Sequence, residues 1–169
     1  MYDKKVDTQE YLSIVIDKLK LRNYHVKEGV KYKNHTFEYV ARQTKFVMGR
    51  FGLLTTFFVF SKLETSDIHT LKDFSTKAFN HARKTRGIFP PRGFGYGFLC
   101  FPVAIVDSVN TETTEYIRGK EPQKHWAAFE KLVVFSLDSK TLYYCEETFS
   151  WGYLYYDWDR KIIMEILSP

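Results

Sequence analysis

The segment that most limits what this chain can fold into is GIFPPRGFGYGFLCFPVAIVD, residues 87–107. Four of the nine glycines fall inside it, and Gly93, Gly95 and Gly97 run straight into an apolar stretch. Glycine is used where φ must be positive or where another group must approach the backbone closely. Pro90 and Pro91 hold the approach to the glycines extended. The run 98–106 does not alternate between apolar and polar residues, which predicts a strand buried on both faces. Pro102 has no N–H to give to a ladder and predicts a bulge or a sheet edge at that point.

Periodicity supplies the other elements. Asp7 reads as a helix cap with Glu10 reaching back, and Tyr11, Leu12, Val15, Ile16 and Leu19 fall on one helical face. Lys18, Lys20 and Arg22 suit the negative end of that helix, and Asn23 stops it. Three strands follow. The first, 24–30, closes on Gly29; the second, 36–47, puts Phe37, Tyr39 and Ala41 on one side and Glu38, Val40 and Arg42 on the other. The third, 53–63, pairs antiparallel with the second across a turn marked by Gly49 and Gly52.

Thr65, Ser66 and Asp67 cap a second helix carrying Ile68, Leu71, Phe74, Ala78 and Ala82 at helical spacing. Its basic end runs from His81 to Arg86, with Gly87 after it. Asn110 caps a short helix through Arg118, and the segments 126–137 and 141–146 form a hairpin around Asp138, Ser139 and Lys140. A wet aromatic segment, 149–156, leads to a last helix at about 158–167. The order is αβββαβαβββα, an α/β (α+β) chain with a mixed central β-sheet and helices packed on it. No repeat, low-complexity tract or linker interrupts it, so residues 1–169 read as a single domain.

A chain of this length buries roughly 70% of its unfolded surface. Rings make up 18% of it, enough to fill a core or to line a stacking surface. The net charge of +5 is unevenly placed: residues 1–92 hold 18 Lys+Arg against 9 Asp+Glu, and residues 93–169 hold 7 against 11. A basic half of this kind attracts phosphate. Cys100 and Cys145 both lie in apolar surroundings and read as small core residues in a reducing compartment. The N-terminus has no apolar signal core, and the run 51–60 is too short to cross a bilayer. A cytoplasmic protein without a membrane segment is the expectation.

Reactive constellations are missing from the sequence. His25, His35, His69, His81 and His125 have no metal-ligand spacing, so no metal and no cofactor are expected. There is no nucleophile elbow, and Cys100 sits as a buried, inert thiol. The glycine turn feeds a strand rather than a helix, unlike a nucleotide loop. Two weaker binding candidates remain. Arg92 with the backbone of Gly93, Gly95 and Gly97 can cradle an anion, and His125 with Trp126 lies among charged groups in a sequence that also holds Trp151 and Trp158.

The order αβββαβ of about the first hundred residues resembles the core of restriction-endonuclease-like nucleases. That family places an acid on its second core strand and an acid-x-Lys on the third, together holding a divalent metal. The resemblance puts Glu38 at the first acid and Lys62 at the lysine, but Phe60 stands where the second carboxylate belongs. It therefore implies an inactive relative. The leading expectation is a non-catalytic α/β binding or interaction domain, with nucleic acid or another protein as partner and nucleic acid meeting the basic N-terminal half. The alternatives are a small enzyme, either a degenerate nuclease of this type or an acid–base enzyme at the glycine turn, and an oligomerising subunit with an aromatic interface.

Overall fold

The computed structural model of the chain describes residues 7–47, 52–86, 96–120, 123–125, 128–146 and 153–169. Among them are α1 (Thr8–Leu21), β1 (His25–Tyr32), β2 (His35–Val47), β3 (Gly52–Lys62), α2 (Ile68–Thr85) and β4 (Tyr96–Val106). These are followed by α3 (Thr111–Gly119), β5 (Gln123–His125), β6 (Ala128–Glu130), β7 (Val133–Ser136), β8 (Thr141–Tyr143) and α4 (Tyr153–Leu167). The strands form one mixed sheet in the order β1-β2-β3-β4-β6-β5, with β7 also beside β4 and β8 beyond β7. β1, β2 and β3 are an antiparallel meander, and β3, β4 and the β6/β7 line run parallel.

Two apolar layers cover the sheet. Leu12, Val15 and Leu19 of α1 and Ile163 and Ile166 of α4 pack on one face, against Phe58, Phe60 and Phe101. Leu71, Phe74 and Phe79 of α2 and Ile117 of α3 pack on the other, against Phe57, Val59 and Phe98. The mixed α/β sheet read from the sequence is therefore the architecture observed, with β4 buried on both faces as its unbroken apolar run requires. Tyr11 ties the two helices of the first layer together: its hydroxyl donates to the Leu167 carbonyl at 2.9 Å, and its ring stacks on Phe135 at 3.8 Å.

Helix starts follow their caps in two cases of three. Asp67 accepts from the Thr70 amide at 2.9 Å, and Asn110 from the Thr113 amide at 2.7 Å. Asp7 stands at the N-cap of α1, but its side chain makes no capping bond, so the expected reciprocal cap is absent there. The stop at Asn23 holds, in the left-handed conformation at φ 63. The last helix begins at Tyr153, earlier than its apolar periodicity alone indicates.

Gly29 does not end β1. It lies inside the strand at φ 61, and the β1–β2 ribbon turns over there. Val26, Tyr39 and Ala41 face the α1 layer, whereas Val30, Tyr32 and Phe37 face the α2 layer. Regular alternation would keep Phe37 with Tyr39 and Ala41; the left-handed glycine breaks it.

Pro102 is neither at an edge nor on a bulge. It sits in the interior strand β4, paired with Val59 on one side. On the other side the ladder runs from Phe98–Ala128 to Cys100–Glu130, then lapses and resumes in unchanged register at Val103–Val133. The missing donor thus splits one strand into β6 and β7, where a single continuous strand was expected. The hairpin after it forms as read, β7 pairing with β8 through Ser136–Thr141.

Candidate functional site

The nuclease-like positions come first. β2 begins and β3 and β4 end at the same end of the sheet, so His35, Glu38, Ser61, Lys62 and Asp107 gather there. Lys62 Nζ lies 2.6 Å from Asp107 Oδ1, and His35 Nε2 is 2.9 Å from Ser61 Oγ. Glu38 Oε2 is buried without a hydrogen-bond partner, beside a cleft of about 300 Å³ shared with Gln9, Glu28 and Tyr39. Phe60, at the place of the second carboxylate, is fully buried among Phe58 and its neighbours. A hard divalent cation needs several oxygen ligands. No group of three His, Cys, Asp or Glu side chains among the described residues offers them, and the nuclease metal does not fit this end.

The opposite end is different in character. There α1 and α2 finish, β1, β3 and β4 start and β2 ends. Both helices carry their cations in the last turn, where the helix dipole favours them: Lys18 and Lys20 in α1, Arg83 and Lys84 in α2. Arg42 of β2 meets the end of α2. Its guanidinium donates to the carbonyls of Thr85 and Arg86 at 3.2 and 3.1 Å, closing the end of α2, and lies over the Phe57 ring. Gln43, on the other face of β2, donates through Nε2 to the Arg22 carbonyl at 2.5 Å. Arg86 stacks over Tyr96 at 5.3 Å, and its Nε is buried without a hydrogen-bond partner.

Two adjoining clefts open at this end. One, of about 580 Å³, is lined by Asn23, His25, Arg42, Gln43, Thr44 and Lys45. The other, of about 450 Å³, shares Gln43 and Lys45 and reaches under α4 to Ile162 and Ile166. Lys45 is exposed and makes no ion pair with any described residue, while Arg22 is 3.7 Å from Glu165. Three of the exposed large apolar residues, Leu21, Phe46 and Leu53, belong to the strand and helix ends here.

Register places two of the sequence candidates at the same end. Lys45, Leu54 and Gly97 form one row across β2, β3 and β4, which puts Gly97 about 10 Å from Lys45 along the hydrogen-bonding direction. The next row is Thr44, Thr55, Phe98, Ala128 and His125. Gly97 and His125, far apart in sequence, thus share one rim. Arg92, Gly93, Gly95 and Trp126 lie outside the described residues. In the sequence Arg22 and Arg42 read only as part of a basic helix end and of a strand face, and Gln43, Lys45 and Phe46 carry no signal of a site. The signal was present in the basic helix ends, but only the strand register sets them side by side.

A third group of charges lies inside the molecule. Glu130 and Lys131 are adjacent and both buried, at the break opposite Pro102, and they reach opposite layers. Glu130 accepts from Ser75 Oγ on α2, and Lys131 Nζ lies 3.1 Å from Asp159 Oδ2 on α4. Burial pushes the Lys131 ammonium below its ordinary pKa and the Asp159 carboxyl above its own, each opposed by the other's charge. Near Glu130, Lys72 and Lys120 flank the Tyr116 ring at 5.1 and 5.8 Å. Burial raises the Cys100 thiol well above its usual range, with Glu130 adding to the effect, so it is a poor nucleophile. These groups fasten helices to the sheet.

No helix among the described residues is long and apolar enough to cross a membrane. Set against known protein families, curated proteins and solved structures, the chain matches none of them.

Proposed function

We propose that this chain is a nucleic-acid-binding domain that does not cut its ligand, and that the basic end of the sheet is its contact surface. The observation that carries the reading is that Arg22, Arg42 and Lys45 line two open clefts at the end of the sheet where α1 and α2, on opposite faces, each finish in a basic turn. Lysine and arginine set in a shared rim neutralise successive phosphates and release their counterions. The opposite end favours binding without cleavage, since Phe60 fills the carboxylate position and Lys62 is held by Asp107.

Fluorescence anisotropy with labelled duplex and single strands, titrated against salt, tests the proposal. Lys20, Lys45, Arg83 and Lys84 supply about four phosphate contacts, which give log K a slope near −3.6 against log salt for duplex and near −2.8 for single strands. Lys45→Glu weakens binding at every sequence. Affinity that is absent, or indifferent to salt, refutes the reading. Mg²⁺-dependent cleavage abolished by Glu38→Gln and Lys62→Ala refutes its non-catalytic half.

A further inference from the structure

The cleft under α4 has features that phosphate binding alone does not explain. Tyr24, Leu54, Thr56, Ile162 and Ile166 line it, three of them aliphatic, between the β2–β3 hairpin and α4. The Tyr24 hydroxyl is hydrogen-bonded to Thr56, and burial pushes its pKa up to about 12, so the phenol stays neutral. Gln43, with Nε2 given to Arg22, keeps Oε1 without a hydrogen-bond partner among the described residues. At the lip stand Lys45, Arg22 and Phe46, the last 59% exposed. A slot with an aliphatic wall of Leu54, Ile162 and Ile166 and polar groups from Gln43, Thr56 and Glu165, opening beside cations and an exposed ring, matches a nucleotide: base inside, phosphate at the rim.

Resting on the nucleic-acid reading above, we propose that this cleft takes one unstacked nucleobase and that the ligand is therefore single-stranded. A duplex keeps its bases stacked and paired and offers this slot only its backbone, whereas a single strand turns a base out at little cost. Charge complementarity selects the occupant: Arg22 and Lys45 line the slot with a single carboxylate, Glu165, whose charge is taken up by Arg22 and Lys161 and leaves Lys45 for a phosphate. Base stacking on a protein ring is worth about 5- to 150-fold in affinity per base.

The test measures anisotropy with three probes: an oligo(dA) strand, an abasic strand of the same length and charge, and a duplex. The expected result is that oligo(dA) binds at least about fivefold tighter than the abasic strand. Phe46→Ala and the slot-filling Ile162→Trp each bring the ratio of oligo(dA) to abasic affinity toward one, while Lys45→Glu weakens both strands and keeps the ratio. Phe46 is exposed and Ile162 half-buried, and a thermal melt confirms that each variant is folded. Equal binding of oligo(dA) and abasic strands overturns the base slot but leaves the basic surface standing. Loss of binding to every probe overturns the surface, and the slot with it.

Discussion

Replacing Asp159 by leucine tests how α4 is held to the sheet. The Lys131 ammonium and the Asp159 carboxylate are 3.1 Å apart, and the two side chains are 3% and 11% exposed. At an effective dielectric constant of about 20, charges at that distance attract by roughly 5 kcal/mol. Desolvating the two ions costs a comparable amount, so the intact pair adds little compared with an apolar pair of the same volume. Removing only the carboxylate keeps the desolvation cost and loses the attraction. Asp159→Leu is therefore expected to cost about 3–5 kcal/mol, and Lys131→Met a similar amount. The double variant should return to within about 1 kcal/mol of the parent chain. In a urea titration followed by far-UV circular dichroism, with a slope of about 2 kcal/mol per molar, the single changes lower the midpoint by roughly 1.5–2.5 M. The deficit of Asp159→Leu has a pH signature. Burial already holds the Lys131 pKa down in the folded chain, so the unfolded chain binds more protons as pH rises toward the ordinary lysine value, and stability recovers. Its deficit should thus shrink as the pH is raised above neutrality toward the ordinary lysine pKa of about 10.4. Single variants that cost less than about 1 kcal/mol, or a double variant as unstable as the two combined, refute the reasoning.

Gly29→Ala places a Cβ at φ 61 with no atom within 4 Å of it, so its cost is conformational alone, about 1–2 kcal/mol in a denaturant titration, and Gly29→Asn costs less. His35 and His81 both have pKa values lowered chiefly by burial, Lys77 adding to the effect at the first and Lys84 and Lys27 at the second. The unfolded chain then binds protons first, so the melting temperature should fall as pH drops below about 6.5, and His81→Asn should flatten that fall. Tyr96→Phe removes the buried hydroxyl that donates to Thr55 Oγ1 at 2.9 Å and should cost about 1 kcal/mol, with Thr44 still bonded to Thr55.

The sheet and its helices were legible because their signals are local. The unalternating run of β4 and the helical spacing of Leu71, Phe74 and Ala78 each carry their own period. Where the reading failed, the cause lies across strands. Pro102 removes a donor from β4, but the visible effect falls on its neighbour, which breaks at Lys131 and Leu132. Gly29 looked like a terminator because it is a glycine; in the ladder it is a place where the ribbon rolls over, and Phe37 changes side with it. The candidate surface was half visible. The basic ends of α1 and α2 stand out in the sequence, whereas Gln43 and Lys45 gain meaning only when Arg22 and Leu54 are known to lie beside them.

The roll at Gly29 has a consequence for how molecules of this protein meet. Among the described residues β1 is an outermost strand of the sheet, and its outer side is a template on which another chain could continue the ladder. A straight recruit would find donors and acceptors aligned over only half of β1 before the strand swings away, with Lys27 and Lys31 projecting on either side of the swing. Fibre-like stacking through this margin is thereby disfavoured by the same glycine that costs the fold some regularity.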